Sequence, residues 1–402
     1  MNSYFATVEQ QSNPFLRGKP ICVAGKGSGE RTVCCAASIE AKKFGIKSGC
    51  GVWEAKKLCP DIVIVEADYN KYQYISQKVF AILESYTPDV EVFSIDEAFA
   101  DISHAVKGFI DAVPISMEIK ARIQEEIGDY LKCSIGIAPN KLLAKLASEM
   151  VKPDGLTLIK EQDIDIIRKK TPVEYLCGIG FRLKDRLNKL DITTMFELGE
   201  FPLKSLIKLF GAHLGNLLHN MGNGIDNSPV APYYEMAEEK SFGHSYTLPK
   251  DIVSLDDAKK VLLKLAEKVG RRMRKSQFMG RTVHLYLRYF DRSGYGQRVT
   301  LSRYINDGFE IYKVGERLLD RYRAIKPIRM LAITVTNILH SHQISLPILP
   351  SDIKEEQVKT TLDKINDKYG EFTVFRGTLV EVKDRIENIP DGRNKRMMRL
   401  EF

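Results

Sequence analysis

Residues 282–290 read Thr-Val-His-Leu-Tyr-Leu-Arg-Tyr-Phe and alternate apolar and polar side chains along their length. Val283, Leu285, Leu287 and Tyr289 fall on one face and His284, Tyr286 and Arg288 on the other, the period-two pattern of a half-buried strand. The flanking elements follow from it. Upstream, a short strand near Gly243–Thr247 precedes a helix from about Asp256, which is placed to cap it. In that helix Ala258, Val261, Leu262, Leu265, Val269 and Met273 recur at three- and four-residue steps. Downstream, the turn DRSGYG (291–296) leads to a strand around Val299–Ser302, a helix near Gly308–Tyr322 and a strand over Met330–Leu339. The order is βαββαβ, a split motif whose open sheet face is suited to lie along a groove.

The same segment holds the charge. The 402 residues carry a net +8 at pH 7, yet residues 1–150 (17 basic, 19 acidic) and 151–239 (11 and 13) are each slightly acidic. Residues 240–340 hold 21 basic and 9 acidic side chains, a net +12, and 341–402 balance at 11 each. Such a regional excess favours polyanion binding over an ordinary solvated surface, with Arg288 on the open strand face as a candidate contact. The length exceeds what one core sustains, about 250 to 300 residues, so several domains are expected. With 44% hydrophobic and 28% charged residues these are ordinary globular cores. No apolar run approaches the ~18 residues of a membrane span, and MNSYFATVEQ lacks a signal pattern, so a cytoplasmic protein free of the membrane is expected. Seven cysteines without a CxxC pair read as reduced, mostly buried thiols.

Residues 160–230 look helical and loop-rich. There Gly178-Ile179-Gly180 separates two helix-like segments as in a helix-hairpin-helix, where backbone amides at a tight glycine turn can hold a DNA phosphate. Gly222–Pro232 reads as a linker into the basic segment. In the first 150 residues, VEVFSI (90–95) and AFADIS (98–103) are strand-like runs flanking Asp96 and Glu97, and CSIGIA (133–138) is a strand leading into the helix NKLLAKLASEMVK. On that helix Leu142, Leu143, Leu146 and Met150 are expected inside, and Lys141, Lys145 and Glu149 outside.

Adjacent acids at a turn are commonly just solvated. Inside the apolar SIDEAF, however, two carboxylates are costly without a compensating cation, and a divalent metal site is the sharper reading. Lys42, after a small-residue segment, and Lys152, before Pro153, are either surface lysines or the cations that phosphoryl transfer places around a polyphosphate. Other chemistries fail on spacing. GKGSGER (25–31) lacks the P-loop pattern and reads as a hairpin turn, His340 and His342 merely alternate on a strand, and neither HExxH nor GxSxG occurs.

In order along the chain, MNSYFATVEQQSNPFLRGKPICV, EAKKFGIKSG, SIDEAF, CSIGIAPNKLLAKLASEMVKPDG, the GIG hairpin and KSFGHSYTLPKDI together resemble the Y-family translesion DNA polymerases of the DNA polymerase IV (DinB-type) class. The resemblance covers nearly the whole chain, and several of its motifs are individually specific. It implies a multidomain α+β right-hand polymerase with a palm (1–10 and 68–159), fingers (11–67), a helical thumb with the hairpin (160–230), a βαββαβ little finger (240–340) and a C-terminal tail (341–402). It also implies template-directed DNA synthesis past lesions by a cytoplasmic, nucleoid-associated monomer, using primer-template DNA, deoxynucleoside triphosphates and two Mg²⁺ ions. Residue by residue, Asp96 and Glu97 would be metal ligands and Phe5 the steric gate against a ribose 2′-hydroxyl, with Tyr4 beside it under the sugar. Lys42 and Lys152 would hold the triphosphate, and Gly178, Gly180 and Arg288 would touch DNA.

This chain departs from the family pattern in three places. The family's opening strand ends in an aspartate just before the residues matching Met1–Phe5, whereas here the chain begins at that Met. A late or truncated start is therefore expected, a catalytically inactive DNA-binding relative being the alternative. An α-amino group in that place would weaken Mg²⁺ binding. Ile39 and Lys42 stand where many relatives put a tyrosine and an arginine, and lysine lacks arginine's bidentate fork. Finally, QISLP, Gln343 to Pro347, resembles a sliding-clamp-binding peptide with Pro347 in place of its aromatic anchor, and equally suits an ordinary linker.

Overall fold

The computed structural model describes residues 1–25, 31–232, 239–321, 326–344, 350–370 and 372–382. These fall into two units with separate cores, one before and one after residues 233–238. The hairpin expected at 25–31 lies largely outside the described residues.

The first unit runs through α1 (Tyr4–Ser12), β1 (Ile21–Ala24), β2 (Cys34–Ala37), α2 (Ile39–Lys42), α3 (Val52–Leu58), β3 (Val63–Glu66) and α4 (Tyr69–Glu84). Strand β1 is central, antiparallel to β2 and parallel to β3. It is apolar throughout because both its faces are covered. Ile21 and Val23 join a core with α1 and α4, while Cys22 and Ala24 join a second with Cys34, Ile46, Val52 and Cys59. The thiols are free as expected: Cys22, Cys34, Cys59 and Cys133 are buried, Cys35 and Cys50 half-buried, and Cys177 exposed.

Next come β4 (Val90–Ser94) and β5 (Glu97–Ala100), an antiparallel hairpin, then α5 (Ala112–Glu126), β6 (Ile135–Ile137), α6 (Lys141–Met150) and β7 (Leu156–Leu158), with β6 and β7 parallel. Asn140 caps α6 by accepting from the Leu143 amide. Leu142, Leu143 and Leu146 face inward as the spacing predicts, but Met150 is 52% exposed. That corrects the expected inner face: the chain leaves the helix at Met150, and no later turn covers it. Leu142, Leu143 and Leu146 reach into a third core, shared with the helices α7 (Ile164–Lys170), α8 (Phe181–Asn188), α9 (Met195–Glu200), α10 (Leu203–Phe210) and α11 (Ala212–Gly222).

The second unit reproduces the expected order: β8 (Ser241–Ile252), α12 (Leu255–Lys275), β9 (Phe278–Tyr289), β10 (Gly294–Ile305), α13 (Gly308–Asp320) and β11 (Ile328–His340). The antiparallel sheet is ordered β10-β9-β11-β8. The strands run longer than their periodic cores because backbone pairing continues past the alternating residues, as where Ile338, Leu339 and His340 pair with Gly280, Met279 and Phe278. Ser254, not Asp256, caps α12, its hydroxyl accepting from the Asp257 amide, and this leaves Asp256 free to favour the helix dipole from the first turn. Val283, Leu285, Leu287 and Tyr289 meet Leu262, Leu265, Val269, Ile311 and Leu318 in the core. Helix α14 (Pro350–Tyr369) is tied to α12 by a forked Arg274–Asp363 pair at 2.6 and 2.9 Å and by Arg271–Asp367 at 2.6 Å.

Helices α12 and α13 pack against each other where Gly270 meets Gly308. A Cβ on Gly270 would stand 2.6 Å from the Gly308 nitrogen, and one on Gly308 2.5 Å from the Glu267 Cα. Gly270→Ala is therefore expected to destabilise the second unit by about 1–3 kcal/mol. Urea unfolding should show a lower midpoint at unchanged slope; an unmoved midpoint would mean the helices separate at no cost.

Candidate active site

The hairpin β4–β5 turns through Ile95 and Asp96, with Ser94 paired to Glu97. The turn is fixed from several sides. The Asp96 carboxylate accepts from Ser94 Oγ at 2.8 Å, and the Ile95 carbonyl accepts from Ser76 Oγ at 2.5 Å. The Asp96 carbonyl accepts from the Met1 ammonium at 2.7 Å. Burial lowers the pKa of that ammonium, and the charges of Asp96 and Glu97 partly restore it. Both acidic side chains are half-buried, so neither is merely a solvated turn residue.

Lys145 is the cation that meets Glu97. Its ammonium donates to Glu97 at 2.5 Å and to Glu149 at 2.7 Å, and the other Glu149 oxygen pairs with Lys152 at 2.7 Å. Lys141 likewise reaches Glu91 at 2.7 Å. This corrects the expectation that Lys141, Lys145 and Glu149 face solvent: the β4–β5 hairpin lies against that side of α6, and its carboxylates draw the lysine heads inward. Burial alone would depress Lys145, but its bonds to Glu149 and Glu97 outweigh this and raise its pKa. Burial would likewise raise Glu149, and the two lysines hold it below the ordinary glutamate value instead.

Lys42 closes the cluster from α2, whose start is capped by Ser38 accepting from the Ala41 amide. Its pKa is lowered first by burial and next by the charge of Lys152, with Glu149 working against both. The two candidate triphosphate lysines, far apart in sequence, thus stand in one another's field. Such a pair of neighbouring cations, both open to solvent, is suited to a polyanionic ligand.

Tyr4 and Phe5 open α1 and are both buried. Burial, and then the Asp96 charge, push the Tyr4 phenol well above its usual value, which places it beside the carboxylate turn. Phe5 stacks on Tyr72 of α4, centroids 4.2 Å apart and planes at 12°, with Tyr69 edge-on at 6.0 Å. Sequence reasoning missed Lys145, Glu149, Glu9 and Tyr72. For Lys145 and Glu149 a signal existed, since a step of four residues puts them on one face of α6.

The nucleic-acid candidates lie elsewhere. Gly178 has φ +102°, a left-handed conformation that glycine adopts freely, and Gly180 is the residue preceding α8, whose first residue Phe181 is 73% exposed. In the second unit, Arg288 shares the open sheet face with His284 and Tyr286, opposite Gly294, Arg298 and Gly296 of β10. Arg298, which the sequence reading did not single out, is exposed there beside His284, whose pKa is lowered by burial and then by Arg298. The two glycines leave room for the Tyr286 ring, which lies over Gly294 and Gly296 between the two arginines.

Because its pKa is depressed, Glu149 contributes stability above the ordinary carboxyl range that is lost as pH falls through its lowered value. Glu149→Gln is expected to cost about 1 kcal/mol at pH 7, a modest value for a half-exposed ion-pair network. The difference from the parent should shrink at pH 3 in urea unfolding; a gap that persists there would mean Glu149 acts by packing.

Three family profiles match the chain. Residues 1–149 match the impB/mucB/samB family, 239–346 the C-terminal domain of that family and 174–226 the thumb domain described for DNA polymerase-iota. Among similar proteins, the DNA polymerase IV of Pelotomaculum thermopropionicum is 37% identical over 377 residues, 94% of this chain and 93% of that one. DNA polymerase IV 1 of Bacillus subtilis is 34% identical over 388 residues, 96% and 92% of the two chains. A solved Y-family DNA polymerase chimera of Dbh and Dpo4 superimposes with a TM-score of 0.74 at 25% identity, over 84% of this chain and 97% of that one. Similarity of this extent, joined to the carboxylate turn and its lysines, leaves one conclusion: the chain belongs to the Y family of DNA polymerases, in the DNA polymerase IV class.

Proposed function

We propose that this protein is a template-directed DNA polymerase that copies past lesions, joining deoxynucleoside triphosphates to a primer paired with template DNA. The observation that carries this is the adjacency of a half-buried carboxylate turn, Asp96–Glu97, to a lysine cluster that includes Lys42 and Lys152. Relatives named DNA polymerase IV over nearly the whole chain support it.

In this reading residues 1–10 and 68–159 are the palm, 11–67 the fingers, 160–230 the thumb, 240–340 the little finger and 341–402 the tail. Asp96 and Glu97 offer hard oxygen donors on one turn; among the described residues no group of three or more His, Cys, Asp or Glu gathers as a metal site. A carboxylate pair completed by substrate phosphates and water fits Mg²⁺, which commonly keeps such partners, and two ions are proposed. When bound, the metal stabilises charge on the attacking and leaving oxygens. Lys42 and Lys152 hold the triphosphate, and Lys145 orients Glu97 through their ion pair. Phe5 is the steric gate against a 2′-hydroxyl, with Tyr4 under the sugar. Gly178 and Gly180 present amides to a DNA phosphate, and Arg288 with Arg298 tracks the backbone. The protein acts as a monomer of the cytoplasm, near the nucleoid; among the described residues no helix is long and apolar enough to cross a membrane. The clamp peptide is proposed at Gln343 to Pro347, of which residues 345–347 lie outside the described residues.

Primer extension with Mg²⁺ tests the reading. Asp96→Ala should lower extension by more than ~100-fold, beyond what losing an outer-shell partner costs, while primer-template binding persists. A parent protein that binds primer-template but adds no nucleotide, and behaves as Asp96→Ala does, would be the inactive relative instead. For the basic unit, Arg288→Ala and Arg298→Ala should each reduce the slope of log K against log salt by about one. An unchanged slope would move the phosphate contacts off this face.

A further inference from the structure

We propose that Glu9 and Tyr72 are positioning residues for sugar discrimination, together holding the ring against which Phe5 rests. The proposal stands on the reading of Phe5 as the steric gate. A gate excludes a hydroxyl only if it cannot retreat, and Phe5 has one ring directly behind it. Tyr72 is fully buried and stacked on Phe5 in near-parallel planes, a contact that by itself resists sliding weakly.

What fixes Tyr72 is polar and directional. Its hydroxyl donates to Glu9 Oε1 at 2.7 Å, and Glu9 Oε2 accepts from Lys71 at 2.8 Å. Its backbone carbonyl accepts from the Tyr4 hydroxyl at 2.6 Å, and Tyr69 closes the remaining side edge-on at 6.1 Å. Glu9 lies four residues after Phe5 on α1, on the same helix face, so gate and anchor are carried by one rigid element while the ring comes from α4. A buried carboxylate is costly where an apolar side chain would pack as well. Here it gives the aromatic stack a charge-assisted bond that sets the ring's position, which packing between flat surfaces does not.

The test compares ribo- and deoxynucleoside triphosphates with the full chain on a primer-template ending in a dideoxynucleotide, measuring the ratio of their Kd values. The ratio of kcat/KM in primer extension is the second readout. Phe5→Ala, the control for the gate itself, should reduce discrimination most. Tyr72→Phe, which keeps the stack and removes the hydroxyl, and Glu9→Ala should each reduce it by about tenfold, the size of one charge-assisted hydrogen bond. Glu9→Gln retains an acceptor and should stay within about threefold of the parent. If Phe5→Ala shifts the ratio while Tyr72→Phe and Glu9→Ala do not, or if these two weaken both sugars equally, the positioning role is overturned. If Phe5→Ala itself leaves the ratio unchanged, the gate reading fails and the proposal falls with it.

Discussion

Two carboxylates on a half-buried hairpin turn must be matched by positive charge, and the Lys145 ammonium, shared between Glu97 and Glu149, begins that compensation. Much of the first unit's arrangement is explained by it. Helix α6 must run beside the β4–β5 hairpin for Lys145 to reach; its opposite face is then committed to the helical core through Leu142, Leu143 and Leu146. Glu149, one turn on, passes the charge alternation to Lys152, and Lys152 bears on Lys42 across from α2. Carboxylates and cations thus alternate from the hairpin along α6 and just past its end toward α2.

The second unit depends on a different constraint, the clean division of a four-stranded sheet into a covered and an open face. The alternation in residues 282–290 decides it: Val283, Leu285 and Leu287 take the helices, and Tyr286 and Arg288 are left outside. On β10 that face carries Arg298 opposite His284, so part of the charge surplus of residues 240–340 lies on the open side of the sheet.

Legibility in the sequence follows the range of the interactions. Elements of the second unit were readable because helix and strand periods are local, and the resemblance of whole motifs set the fold class. Capping was misjudged by two residues at Ser254, since serine and aspartate are equally good caps and only the backbone path chooses between them. Asp96 and Glu97 could be suspected from their apolar setting, but that Lys145 points toward them depends on the hairpin's position, which no spacing on α6 reveals. The Phe5–Tyr72 stack joins residues 67 apart in sequence, and its anchor Glu9 looks like any helix glutamate until α4 is laid against α1.

Strand β1 has a consequence for how such a protein varies. Ile21 and Val23 serve the core beneath Tyr4 and Phe5, while Cys22 and Ala24 serve the one beneath α2 and Lys42. Four consecutive letters therefore obey two independent sets of volume limits. In a lineage of relatives, positions two apart should drift together and adjacent positions should not, so the strand would carry two interleaved histories, one for each wall it supports.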